Sequence, residues 1–433
     1  MGVLDRLRRI TGEDKEASQK KEDRSAELKD LRGRIEAIMA KRPQAKPRRA
    51  KTYPPLQELI EGEEIVSQAG AFFLASQRQP GDYLHGNRFL GDSVRLNMET
   101  AALLANNRAI AGCRISEGLF LDTETTGLSG GTGTLAFMIG LGFFEDGAFV
   151  TRQIFLRDFS EERAALQYLN DIVRSKRFLV TFNGKAFDVN LLAARYIMNR
   201  LRNPLDDLPH LDLLFPSRRL CGHRLENSRL ATLEKALFGL QREGDLPGME
   251  IPARYFSWLR RRDPQLVADI FRHNHLDILS LAVLATHLSE LLASCPISPG
   301  KTDPRDLLAA ARLLVERNEQ AQATGLLRDL IAGKELFVRS EARKALSLIL
   351  KRQGDREAAA GLWEAMLREN PADLFAAVEL AKWQEHGCRN YQAAYDLLSR
   401  ILGSSAVIPG AEREALKHRL RRLQSRLTSA ASA

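Results

Sequence analysis

Cysteine is scarce and scattered. Cys113, Cys221, Cys295 and Cys388 are far apart in a chain of 433 residues, and no two form a C-x-x-C pair, which argues against a zinc site and against a disulfide framework. Long apolar runs are missing as well. The longest, Thr134–Phe144, covers about 11 residues, and the next is broken by His287 and Glu290; neither suits a bilayer span. The opening MGVLDRLRRITGEDK has no uninterrupted apolar core of a secretion signal. The expectation is a protein of the reducing cytoplasm, without a membrane role.

The body also lacks an excess of charge of either sign. The net charge is +9, but residues 1–51 and 411–433 carry all of it, and the rest is close to neutral. Basic ends on an ordinary body can touch nucleic acid or an anionic surface, or simply aid solubility. Within 1–51, KRPQAKPRRAK (41–51) holds six positive charges, no negative ones and two prolines, so it reads as an arm rather than part of a core. Residues 52–112 show no readable pattern and are taken as an extension of the domain that follows.

From 113 to 296 the pattern is α/β. Apolar runs at 118–121, 135–142 and 149–156 predict strands, the last two joined through Asp146-Gly147, a hairpin signal. A helix is expected from Ser160, with its hydroxyl as cap, then a strand at Phe178–Phe182 and a helix from about Ala186. Three strands followed by alternating helix and strand predict a mixed sheet flanked by helices. After a break at Pro296, Pro299, Gly300 and Pro304 the chain reads as helical over 303–405, with a basic helix and tail at 406–433. Self-alignment gives a period near 34, pairing Ala359 with Ala393 and Trp363 with Leu397. That period resembles tetratricopeptide repeats, with an irregular bundle as the alternative.

Carboxylates stand where a core is expected. In Leu119-Phe120-Leu121-Asp122-Thr123-Glu124-Thr125-Thr126-Gly127, Asp122 and Glu124 are two apart and so share one face of a strand. Two such groups at the end of an apolar strand repel each other and lose hydration, and a divalent cation removes both problems. Asp188 follows Asn183-Gly184-Lys185-Ala186-Phe187, where a strand hands over to a helix. Asp277 and Asn274 fall on the apolar stripe of a long helix through Val267, Ile270, Phe271, Ile278, Leu281 and Leu284. Four carboxylates converging on hard cations make these placements sensible together.

At this point the chain resembles the DEDD superfamily of ribonuclease H-like nucleases. The D-x-E, the Asp after N-G-x-x-F and the late helical Asp are similar to its three exonuclease motifs. FLDTETTGLSGGTGT, FNGKAFDVNLL, HLDLLFPSRRL, GDLPGMEIPARY and HNHLDILSL, in that order, resemble the YprB-like family over about residues 115–293. The resemblance implies a metal-dependent 3′→5′ exonuclease acting on single-stranded nucleic-acid ends. Two Mg²⁺ or Mn²⁺ ions would be held by Asp122, Glu124, Asp188 and Asp277. Related enzymes place a base, His or Tyr, five or four residues before the last Asp. Here those positions are Arg272 and His273. His273 lies about 40° from Asp277 on the helical wheel and His275 about 200° away, so His273 is the candidate base; the alternative is that it only hydrogen-bonds Asp277.

Asn183 is a candidate contact to the terminal nucleotide or a turn-former. Asp212 reads as a turn cap or a support for the metal carboxylates. The basic loop SRRLCGHRLENSR (217–229) offers Arg218, Arg219 and Arg224 as candidate phosphate contacts. Glycine-rich stretches lack nucleotide-binding spacings. The helical region is expected to meet protein partners. The competing reading is a non-catalytic nucleic-acid-binding protein or helical scaffold with a vestigial nuclease domain.

Overall fold

The computed structural model describes residues 53–127, 133–293, 302–404 and 408–431; the expected basic arm at 1–51 lies outside them. The strands are β1 (Glu63–Ser67), β2 (Gly70–Gln79), β3 (Leu84–His85), β4 (Arg88–Phe89), β5 (Gly118–Thr125), β6 (Ala136–Glu145), β7 (Ala148–Phe155), β8 (Phe178–Thr181) and β9 (His210–Asp212). Seven of them form one mixed sheet in the order β1-β2-β7-β6-β5-β8-β9. β5, β6 and β7 form an antiparallel meander, while β8 and β9 add in parallel beside β5. The β6–β7 hairpin closes as its sequence predicts: Asp146 and Gly147 both take positive φ, 47° and 75°, the twist a two-residue hairpin needs.

Residues 52–112, which carried no signal, supply β1 and β2. These extend the sheet beyond β7, with Leu74 opposite Ile154. The same extension carries helix α1 (Met98–Ala105). The helices that follow are α2 (Glu162–Val173), α3 (Asp188–Met198), α4 (Leu214–Cys221), α5 (Leu230–Phe238), α6 (Ile251–Arg261) and α7 (Gln265–Ala293). Ser160 does not cap α2 as expected. Asp158 accepts the Ser160 N–H and hydroxyl and starts a short 3-10 turn from which α2 continues. Asp at that position is the stronger acceptor, since its carboxylate takes both donors at once.

α7 crosses one face of the sheet. This helix is long and apolar enough to cross a membrane, despite His287 and Glu290, but most of it is buried inside the body. It sits close because β6 presents glycines beneath it: a Cβ on Gly140 would meet Asn274 Oδ1 at 2.2 Å, and one on Gly142 would meet Ile278 at 2.5 Å. Leu119, Leu121 and Leu179 face the other way, toward α2, α3 and α6.

The C-terminal region is all helical: α8 (Pro304–Glu316), α9 (Gln320–Ala332), α10 (Leu336–Gln353), α11 (Arg356–Glu369), α12 (Leu374–His386), α13 (Tyr391–Gly403) and α14 (Gly410–Ala431). Each packs on the next in chain order. The repeating register differs from the expected one. Asp355 and Asn390 cap α11 and α13 in the same way, and the buried Ala359, Trp363 and Met366 correspond to Ala394, Leu398 and Ile401. That is a step of 35, one more than self-alignment suggested, because identity favoured Ala393 while burial selects its neighbour Ala394.

Candidate active site

The site forms at the C-terminal end of β5. Asp122 and Glu124 lie on the Phe120 face, beneath α7, as strand alternation requires. Asp122 Oδ2 accepts a hydrogen bond of 2.9 Å from Asn274 Nδ2. Fully buried Asn274 also accepts, through Oδ1, from Gln153 Nε2 at 3.0 Å. Beyond the last β5–β8 pair, Phe120 with Val180, the Thr123 N–H and hydroxyl both donate to Asp188 Oδ1, at 3.1 and 2.5 Å. This brings Asp188, the first residue of α3, to the end of β5.

The turn before Asp188 is built by Asp212. Its buried carboxylate accepts from the backbone N–H of Asn183 (2.7 Å), Lys185 (3.0 Å) and Leu214 (3.1 Å). Asn183 itself takes φ 65°, a left-handed conformation Asn tolerates. Asn183 also lines an open cleft of about 700 Å³ with Asp122, Glu124, Asp188 and the half-exposed Phe187.

From α7, His273 and Asp277 face Glu124. His273 Nε2 stands 3.5 Å from Asp277 Oδ2 and 4.0 Å from Glu124 Oε1. Donor atoms of Glu124, His273 and Asp277 all lie within 4.8 Å of one another, close enough to share a metal ion. His273 Nδ1 is bound at 2.8 Å to Asp245 Oδ1. Arg242, its side chain almost fully buried, donates to Asp277 and Glu234 and, at 3.2 Å, to Asp245 Oδ2.

Electrostatics mark the cluster as under strain without a cation. Burial pushes Asp122 and Glu124 well above the usual carboxylate range, and the negative charges of Asp277 and Asp188 push them further. Burial raises Asp188 to about 6 against the hydrogen bonds from Thr123. Burial also acts on Asp245, but the hydrogen bond to His273 and the nearby Arg242 charge hold it below its ordinary value. Three raised carboxylates that act on one another electrostatically are a functional-site signature. Hard oxygen donors of this kind suit Mg²⁺ or Mn²⁺.

A family profile described as RNase_H superfamily matches residues 119–289. A protein of Bacillus subtilis (strain 168), "Uncharacterized protein YprB", is 34% identical over 314 residues, which is 72% of this chain and 75% of that one. The chain belongs to the YprB family, within the ribonuclease H superfamily.

In this YprB-family site the five residues expected from sequence, Asp122, Glu124, Asp188, Asp277 and His273, come together. His275 does not join them: it is buried, with Nδ1 2.9 Å from Thr151 Oγ1. Two arginines of the basic loop are engaged away from the cleft. Arg224 forms a two-pronged ion pair with buried Asp306 of α8, and Arg219 pairs with Glu316. Arg218 is exposed and, among the described residues, has no acidic partner. None of the three lines the cleft. Sequence reasoning missed Arg242 and Asp245. Both lie in a loop, where no periodicity reports direction; the one available signal was that Asp245 is the second residue of the quoted GDLPGMEIPARY stretch.

Proposed function

We propose that the protein is a metal-dependent nuclease that removes nucleotides from the 3′ end of single-stranded nucleic acid. The convergence of Asp122, Glu124, Asp188 and Asp277 from β5, α3 and α7 carries this reading, because four clustered carboxylates have no structural benefit that offsets their desolvation. These four residues would hold Mg²⁺ or Mn²⁺, two ions in the full reaction. Bound there, the cations supply Lewis-acid chemistry, making the attacking water more acidic and neutralising charge on the scissile phosphate and leaving oxygen.

The chain's own residues do the rest. His273 accepts the proton of the attacking water at Nε2, the ring nitrogen turned toward Glu124 and Asp277. Phe187 offers an aromatic face at the cleft for the terminal base, which suits single strands of any sequence. Asn183 lines the same cleft and contacts the terminal nucleotide. Arg218, outside the cleft, is the basic loop's contact for backbone phosphates of the strand beyond the terminal nucleotide; Arg219 and Arg224 are committed to Glu316 and Asp306. The helical region, read as tetratricopeptide-like, serves a protein partner.

The test uses 5′-labelled single-stranded DNA and RNA incubated with the protein in Mg²⁺, Mn²⁺ or EDTA, with Asp188→Ala beside it. The expected result is a ladder shortening from the 3′ end with metal only, and none from Asp188→Ala. Binding of the strands without cleavage by either protein would instead establish a non-catalytic nucleic-acid-binding module.

A further inference from the structure

We propose that Asp245 is a positioning residue for His273: it holds the imidazole with its proton on Nδ1 and leaves Nε2 bare toward the reacting water. This rests on the nuclease reading given above and adds a residue to it. The ring's short contact runs through Nδ1, 2.8 Å from Asp245 Oδ1. The two neighbours of Nε2, at 3.5 and 4.0 Å, lie at or beyond the limit of hydrogen bonding to a ring nitrogen. A carboxylate accepts and never donates when ionised, so Nδ1 must carry the proton in the neutral ring. Nε2 is then an acceptor, as a base requires.

Asp245 is itself surrounded by donors. Its Oδ1 also accepts from the Leu246 N–H at 3.0 Å, and its Oδ2 accepts from Arg242 Nη1 at 3.2 Å. Arg242 can only donate, and it is anchored in turn by Glu234 and Asp277. Two consequences follow. The carboxylate cannot rotate away from His273 without breaking with a buried guanidinium. And asparagine at this position cannot serve every donor: with its oxygen on the charged Arg242, its NH₂ faces both Nδ1 and the Leu246 N–H, and with its oxygen on those two, its NH₂ faces the guanidinium. In the first orientation the ring accepts at Nδ1 and carries its proton on Nε2, the wrong tautomer for a base; in the second it loses the negative charge that fixes its proton on Nδ1.

This sets the isosteric variant apart from a packing role. Asp245→Asn preserves volume and shape, while Asp245→Glu preserves charge and disturbs shape. Turnover of a 5′-labelled oligonucleotide is measured for wild type, Asp245→Asn, Asp245→Glu, His273→Ala and the Asp245→Asn/His273→Ala pair, with thermal melts of each. Asp245→Asn is expected to lose on the order of 100-fold in kcat, with KM and the Mn²⁺ concentration for half-maximal rate unchanged. Asp245→Glu is expected to retain more activity than Asp245→Asn, and the double variant to be no slower than His273→Ala. Should Asp245→Asn not fold, Asp245→Glu against Asp245→Ala carries the same comparison. Near-wild-type kcat in Asp245→Asn, a loss confined to KM or metal requirement, or additive losses in the double variant would each overturn the proposal. An inactive wild type would instead overturn the nuclease reading on which it rests.

Discussion

At the scale of single residues the site is a set of expensive choices. Asp122, Glu124 and Asp188 are held where ionisation is unfavourable, and their protonation is tied to stability. Asp188 has a folded value of about 6 against an ordinary 3.8. Between those values the folded protein keeps a proton that the unfolded chain has released, so stability present at low pH is lost as the pH rises through about 6. Asp122 and Glu124, raised further, extend the loss to higher pH. The melting temperature in EDTA is therefore expected to fall from pH 4 to pH 8, and Mn²⁺ to restore more of it at pH 8 than at pH 5. Asp188→Asn should flatten the fall, as melting scans across pH will show. The same substitution should cost at least about 1,000-fold in cleavage rate, measured on labelled strands, since an electrostatic group of the reaction is gone.

At the scale of elements, the contact between β6 and α7 sets the geometry. Gly140 and Gly142 let α7 approach the sheet, and Asn274 fills the space over Gly140 to reach Asp122. A methyl at 140 would press on Asn274 at 2.2 Å, and Asn274 is buried and bonded on both sides. Gly140→Ala is expected to destabilise by about 2 kcal/mol in urea unfolding, the usual cost of overpacking. It should also cut activity beyond what the stability loss explains, because His273 and Asp277 ride on α7. Much of this element layer was legible: the meander, its Asp-Gly hairpin and the apolar stripe of α7 follow from periodicity and turn chemistry. β1 and β2 were not, because the pairing of β2 with β7 is a long-range fact that short segments do not encode.

At the scale of the molecule, the ribonuclease H-like body and the helical region share a core. One apolar cluster runs from Phe120 on the sheet through Leu284 of α7 to Leu314, Leu327 and Trp363. Polar ties reinforce it: Arg224 with Asp306, Arg219 with Glu316, and Arg317 Nε donating to the Leu103 carbonyl at 3.0 Å. Asp306 is 1% exposed, so its charge depends on Arg224. Arg224→Ala should cost about 3 kcal/mol in denaturant unfolding, as expected when one partner of a buried pair is removed. Unfolding followed by tryptophan fluorescence and by loss of metal binding should give coincident transitions; two separated transitions would show the regions to be energetically independent.

What the sequence by itself determined is the chemistry with a local or periodic signature. Asp122 and Glu124 share a face because strands alternate, His273 and Asp277 meet because helices turn in 3.6 residues, and Asp188 stands where an apolar strand yields to a helix. What only the tertiary structure decided is everything that depends on a partner distant in the chain. Asp245 and Arg242 reach the site from a loop, Asn274 finds Asp122 across a glycine groove, and two of the loop arginines turn from solvent to Asp306 and Glu316. The physical reason is that local geometry sets where a side chain can point, while only packing sets what it meets.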